Sequence, residues 1–303
     1  MTMPGATFQY EQIAVRASGA VGAEVCEVDL SKLTDAMVAE LHRARGDHGV
    51  LFFRDQVLSE ADHIAVAERF GTINVNRFFT AVDGFPQIAE VRKEAEQTAN
   101  IGGGWHTDHS YDEIPAMGSI LYAREVPEVG GDTLFASMYA AYDSLSEGMR
   151  SMLCSLNAVH SSRHVFGARA ERPAELSARL GNQAAATQDA VHPMVIRHPV
   201  SGRPALYVNP GFTLRIEGWT PAESAPVLAF LYAHASRPEH TYRFHWMPGS
   251  VAFWDNRATW HYAVNDYHGE RRLMHRITLE GDALSAAVPG GGAPSRAVHA
   301  VGG

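Results

Sequence analysis

A chain of 303 residues with 46% hydrophobic content can bury a substantial core, and its formal charge of −9 argues against nucleic acid or an anionic membrane as main partner. Two cysteines, Cys26 and Cys154, make no disulfide framework and suit a reducing cytoplasm. The opening stretch MTMPGATFQYEQIAV lacks a basic segment followed by an apolar one, so no signal peptide is expected, and no apolar run approaches the length of a membrane span.

In chain order, a helical pattern over Asp35–Arg45 leads into an apolar strand, Gly49–Arg54. Ser59 caps a second helix, Glu60–Phe70. Strands follow at Gly118–Ala123 and Asp132–Ala136, then two short helices at Met138–Ser144 and Glu147–Ser155. Met194–His198 and Ala205–Val208 read as strands. Thr220-Pro221-Ala222-Glu223 supplies a cap, a proline at the first helical position and an acid at the third, opening a helix over Ala222–Ala235. Gly249–Trp254 and Leu273–Leu279 close the set as strands. Strands and helices do not alternate strictly, which argues against a doubly wound parallel sheet. The expectation is a mainly β (α+β) fold, an antiparallel core with helices outside it. No linker divides the chain, so residues 1–282 read as one domain. The Gly-, Ala- and Pro-rich stretch 283–303 reads as a mobile tail.

The stretch GGGWHTDHS, Gly102–Ser110, holds His106, Asp108 and His109. On a strand, residues i and i+2 share a face, so His106 and Asp108 could grip one ion while Thr107 and His109 turn away. Alone the motif carries little weight: with 16 histidines in 303 residues, chance supplies about 0.7 such pairs. It gains meaning from a distant segment, GSVAFWDNRATWHYAV, in which a second short strand carries His261. Two imidazoles and one carboxylate are the facial set of non-haem Fe(II) oxygenases. Arg272 and Arg276 follow in RRLMHRITL, four residues apart and therefore on one strand face. They form the local anion-binding cluster that an acidic protein needs. The same three ligands also serve zinc, so a zinc-dependent hydrolase stays open, as does a non-catalytic jelly-roll binding module.

WHTDHS, VGGDTLFAS, WDNRATWHYAV and RRLMHRITL, in this order and spacing, resemble the taurine dioxygenase (TauD/TfdA) family of Fe(II)/2-oxoglutarate-dependent dioxygenases. AERFG and ALYVNPGFTLRIEG add to the resemblance, which runs from about Ile13 to Asp282. It implies a double-stranded β-helix (jelly roll) with His106, Asp108 and His261 as iron ligands. Thr133 and Arg272 are then expected to bind the distal carboxylate of 2-oxoglutarate. Arg276 is expected beside the metal-bound end of that cosubstrate, facing the acidic group of the prime substrate. Trp105, Phe166 and Phe212 fall where the family lines its pocket. The resemblance also implies O2 as oxidant, with succinate and CO2 as coproducts, and a homodimer or homotetramer.

Where taurine-specific members carry a histidine, a tyrosine and an asparagine, this chain has Asn76, Phe79 and Gly102. The wall is less basic and more aromatic, so a substrate other than taurine is expected: a further sulfonate, a sulfate ester or an aryloxyalkanoate. LNAVHSSRHVFG and HPVSGRPALYVN resemble the aryloxyalkanoate members, and Phe78 adds to the apolar lining.

Overall fold

The computed structural model describes residues 9–167, 170 and 182–288. Its largest unit is a nine-stranded sheet. The order is Ala14–Ala17, Ala23–Cys26, Val50–Phe53, Val251–Asp255, Gly118–Glu125, Arg272–Leu279, Phe85–Lys93 and Ala81–Val82, with Ile73–Asn74 also pairing to Arg272–Leu279. Within it only Ala23–Cys26 and Val50–Phe53 run parallel. A three-stranded antiparallel sheet of Thr241–Phe244, Thr133–Ser137 and Thr259–Ala263 faces it. Phe52 of the large sheet stacks on Phe244 of the small one at 4.1 Å and meets Phe135 edge-on at 5.5 Å. Together they make the expected double-stranded β-helix.

The period of two along each strand sorts the side chains into layers. Leu51, Phe53, Ile120, Tyr122, Val251, Phe253, Ile277 and Leu279 face outward, where Leu41 and Ala44 of the helix Asp35–His48 and Val66 and Ala67 of the helix Glu60–Glu68 cover them. Val50, Phe52, Leu121, Ala123, Ala252, Trp254 and Met274 point into the space between the sheets. Arg272 and Arg276 share the face of Met274, so the strand geometry directs both guanidiniums inward. The small sheet turns Ala136 and Trp260 to its own outside, where the helices Met138–Asp143 and Pro221–Ala235 pack.

Local signals set the helix starts. Ser59 and Asp62 exchange side-chain and backbone bonds in a capping box, and Thr220 and Glu223 do the same. The tail expected from Ala283 is tied down at its start: Ser285–Ala286 pairs with Val195–Arg197, and Ala287 is buried. Residues 289–303 lie outside the described residues.

A buried ionic knot holds the turn that leads to His261. Asp255 accepts from Arg257 Nε and Nη2 at 2.8 Å each, with His198 Nε2 at 3.1 Å and Arg45 Nε at 3.7 Å. Burial alone pushes the Asp255 carboxyl up, but Arg257, His198 and Arg45 together hold it well below the usual carboxylate range.

Two other histidines are sealed in the core. Burial holds His63 down to about 3, helped by nearby His275, and holds His160 down to about 3, helped by His192. The unfolded chain takes up these protons near the ordinary value of 6.5 while the folded chain refuses them, so stability is full above that pH and drains as the pH falls toward 3. The two sites together should lower the unfolding free energy by about 4 kcal/mol between pH 7 and pH 5. Urea unfolding at the two pH values reads this directly, and equal stabilities would show that both histidines titrate freely in the fold.

Candidate active site

His106 and His261 are brought together by the backbone. His106 N donates to His261 O at 3.1 Å and His261 N to His106 O at 2.9 Å, a single antiparallel bridge. Directly opposed residues on antiparallel strands project to one side, and the two rings lie 4.1 Å apart. Just after His106 the chain leaves the strand for a turn over Asp108–Tyr111. The expectation of His106 and Asp108 on one extended strand is therefore corrected: the turn, not strand alternation, swings the carboxylate back to the histidines. Asp108 Oδ1 lies 3.7 Å from His106 Nε2, and its Oδ2 lies 3.7 Å from His261 Nε2. One ligand atom from each residue falls within 4.8 Å of the others.

The donor set suits a divalent cation. The Gly104 carbonyl lies 2.7 Å from His106 Nδ1, which fixes the proton there and leaves the Nε2 lone pair on the side of Asp108. Burial and then His106 lower His261 to about 3, so it is a neutral imidazole at physiological pH. Burial pushes the Asp108 carboxyl up, but Arg276, His261 and His106 outweigh it and hold it below the usual range. His261 and Asp108 are thus in the protonation states that metal binding requires.

Glycines let the backbone approach this cluster. A Cβ on Gly211 would stand 2.7 Å from the His106 Cβ. Gly102 has φ +81°, and a Cβ there would lie 3.3 Å from His106 Cε1. A bulky side chain at 102 would thus be strained and would press on the ring.

Thr107, between His106 and Asp108, is buried and donates its hydroxyl to Asn256 O at 2.6 Å. That bond ties the turn to the segment leading to His261. Thr107→Val keeps the shape but leaves the carbonyl unpaired, which should cost about 1–3 kcal/mol of stability. It should also weaken metal affinity by about 10- to 100-fold. Denaturant unfolding and metal titration measure the two effects separately.

The strand Arg272–Leu279 supplies the anion-binding side. Arg272 is 5% exposed, and its Nε and Nη2 have no hydrogen-bond partner among the described residues. Its guanidinium lies 5.8 Å from the Trp246 ring, and Trp246 Nε1 donates to Thr133 Oγ1 at 2.9 Å. With the Thr133 oxygen already accepting, its own proton is left to donate. A buried guanidinium whose Nε and Nη2 find no partner among the described residues suits a carboxylate, and Trp246 links it to the Thr133 hydroxyl. Arg276 Nη1 donates to Asp108 Oδ2 at 3.2 Å, and its guanidinium lies over the Phe79 ring at 4.6 Å. Its Nε is buried and has no partner among the described residues.

Phe78, Tyr111 and Phe212 form a buried aromatic group with Phe79 and Phe166 packed against it. Phe78 stacks on Phe166 at 4.4 Å, and Phe212 lies 6.3 Å from the His106 ring. Phe212 thus borders His106 and Phe79 borders Arg276, while Phe166 lies behind them against Phe78 and Phe212. Trp105 does not join them. It packs on Trp260 and Tyr262, which alternate with His261 and face the other way, so its neighbour is the outer core. Asn76 is engaged with the backbone: its Oδ1 accepts from Phe78 N at 2.9 Å and Phe79 N at 3.0 Å, shaping the turn that carries the wall.

His109 stands outside the ligand group, as expected, though for a different reason. Its φ of +60° belongs to the turn, and its Nδ1 bonds Asp112 Oδ2 at 2.8 Å. Sequence reasoning missed Arg77, Asp112 and Trp246. Arg77 and Asp112 meet each other, and Trp246 meets Thr133, only through tertiary folding, and no spacing rule flags either pair.

Fold and site agree on a class, the 2-oxoglutarate-dependent dioxygenases. Residues 14–278 match the family described as taurine catabolism dioxygenase TauD, TfdA family, and the chain belongs to that family. An alpha-ketoglutarate-dependent sulfate ester dioxygenase of Pseudomonas putida is 36% identical over 269 residues, 88% of this chain and 88% of the relative. An alkylsulfatase of Acinetobacter baylyi is 35% identical over 275 residues, 89% of this chain and 85% of the relative. A crystal structure of a taurine dioxygenase from Burkholderia xenovorans superimposes with a TM-score of 0.76 at 36% identity, covering 90% of this chain and 93% of that one.

Proposed function

We propose that His106, Asp108 and His261 hold Fe(II), and that Thr133 and Arg272 receive the distal carboxylate of 2-oxoglutarate. The buried Nε and Nη2 of Arg272, without a partner among the described residues, carry this reading, because a zinc hydrolase or a binding module gives them no task. When bound, the iron and 2-oxoglutarate together supply oxidative decarboxylation by O2 to succinate and CO2, coupled to hydroxylation of a nearby C–H bond.

The protein's own contribution is placement. Arg276 holds the acidic group of a small organic substrate, its planar fork suiting an oxyanion. Phe79 and Asp108 restrict that guanidinium from two sides, and Phe166 and Phe212 pack the apolar body of the substrate. Position, rather than acid–base strength, then selects the carbon attacked. The relatives named for sulfate esters support an alkyl sulfate as leading substrate, with sulfonates and aryloxyalkanoates next. Hydroxylation at the carbon bearing the sulfate oxygen yields a product that collapses to an aldehyde and inorganic sulfate. A small anion fits this acidic chain better than nucleic acid, and no described helix is long and apolar enough to cross a membrane. We place the enzyme in the cytoplasm as a homodimer or homotetramer, which sedimentation would count.

Oxygen uptake with Fe(II) and 2-oxoglutarate, across hexyl sulfate, hexanesulfonate, 2-phenoxypropionate and taurine, tests the reading. Uptake should be greatest with hexyl sulfate and least with taurine. Cleavage of any of these acids without O2 and 2-oxoglutarate would overturn it.

A further inference from the structure

Asp112 lies four residues beyond Asp108 and is the hub of a small ionic group. Arg77 Nη2 donates to both of its carboxylate oxygens, at 2.5 and 2.7 Å. His109 Nδ1 bonds its Oδ2 at 2.8 Å, and His192 Nε2 lies 2.9 Å from its backbone oxygen. The Asp112 side chain is 17% exposed and that of Arg77 is 33% exposed. This pair is screened far less than one in open solvent.

The two partners belong to segments with separate duties. Asp112 closes the turn that presents Asp108: Asp112 N donates to His109 O at 3.0 Å. Arg77 lies in the turn that Asn76 organises, directly before Phe78 and Phe79. Its guanidinium lies 5.5 Å from the Phe78 ring and 5.9 Å from the Tyr111 ring. Phe79 covers Arg276, which also holds Asp108. A closed circuit results, running from Asp108 through its turn to Asp112, across to Arg77, along to Phe79 and back through Arg276 to Asp108.

We propose that Arg77 is a positioning residue, whose bridge to Asp112 fixes the Phe78–Phe79 wall against the turn carrying Asp108 and so sets the distance between prime substrate and metal. The inference rests on the reading of the site given above. It assigns Arg77 no contact with the reacting atoms. With the bridge cut, 2-oxoglutarate still finds Arg272 and Thr133, because they lie on other strands. The prime substrate meets a wall that drifts, and misplacements of about 1 Å at a reacting centre cost up to about 100-fold.

The test compares Arg77→Met, Arg77→Lys and Asp112→Asn with the wild type, using whichever acid of the panel supports the fastest oxygen uptake. Arg77→Met should raise the KM for that acid by about tenfold, leave the KM for 2-oxoglutarate within about twofold, and lower the product formed per succinate to below about half. Arg77→Lys should restore most of the coupling, since the bond pattern uses one nitrogen and lysine offers one. Asp112→Asn keeps an acceptor for His109 but loses the charge, and it should follow Arg77→Met. It serves as the deciding variant if Arg77→Met does not fold. Hydrogen exchange without substrate gives a reading independent of turnover: amides of residues 76–80 should exchange at least about fivefold faster in the folded variant. The inference fails if coupling stays at the wild-type ratio, if both KM values move together, or if exchange at 76–80 is unchanged. A wild type that consumes no 2-oxoglutarate with any acid of the panel overturns the assigned function instead.

Discussion

Arg272→Leu should raise the KM for 2-oxoglutarate by about 10²- to 10³-fold while leaving the ligand-free protein as stable as before or more so. The two effects have one origin. Arg272 is buried, and its Nε and Nη2 find no partner among the described residues, so its charge costs the fold desolvation and regains little there. Leucine removes that cost, and Trp246 still has its bond to Thr133. Cosubstrate binding, however, loses the guanidinium that would neutralise a buried carboxylate, a loss of about 3–4 kcal/mol. Thermal unfolding with and without 2-oxoglutarate separates these: the variant should match or exceed the wild type alone and lose the shift that added cosubstrate produces. Thr133→Val should act in the same direction by about tenfold, since it removes one hydroxyl donor to a charged acceptor.

His261→Ala should abolish turnover, by at least about a thousandfold, without unfolding the chain. Losing a group that merely orients a ligand costs about 10- to 100-fold, and losing one of the three proposed ligands must cost more. The ring lies between Trp254 at 4.8 Å and His106 at 4.1 Å, so alanine also opens a void. The resulting stability loss should stay in the range of other large-to-small core changes, about 2–5 kcal/mol. Metal titration distinguishes the outcomes. Tight binding retained by the folded variant would remove His261 from the ligand set.

Much of this was legible because strands and caps are local. The apolar run before Arg54 marks a strand, and the shared face of Arg272 and Arg276 follows from the pleat alone. Ser59 and Thr220 announce their helices within one turn. The strand Phe85–Lys93 was harder to see, since Pro86, Gln87 and Glu90 break up its apolar pattern. Asn157–Ser161 and Asp189–Pro193 hide for a related reason: each carries polar residues whose partners lie elsewhere, such as Ser110 for His160. The site divided the same way. Residue types and order pointed to His106, Asp108 and His261, but a pattern cannot show that Asp108 reaches them from a turn. Trp105 failed as a pocket residue because adjacent residues on an extended segment face opposite ways, and His106 claims the inner one. Arg77 and Asp112 meet across 35 residues of sequence, a distance over which no periodicity carries information.

One anaerobic titration tests the central claim most directly: Fe(II) is added to the purified protein, then 2-oxoglutarate, and the visible spectrum is followed. Binding of both at one site should give a weak charge-transfer absorption that saturates with 2-oxoglutarate and is absent from His261→Ala and much weakened in Arg272→Leu. A wild-type protein that binds Fe(II) but shows no 2-oxoglutarate-dependent absorption would contradict the account.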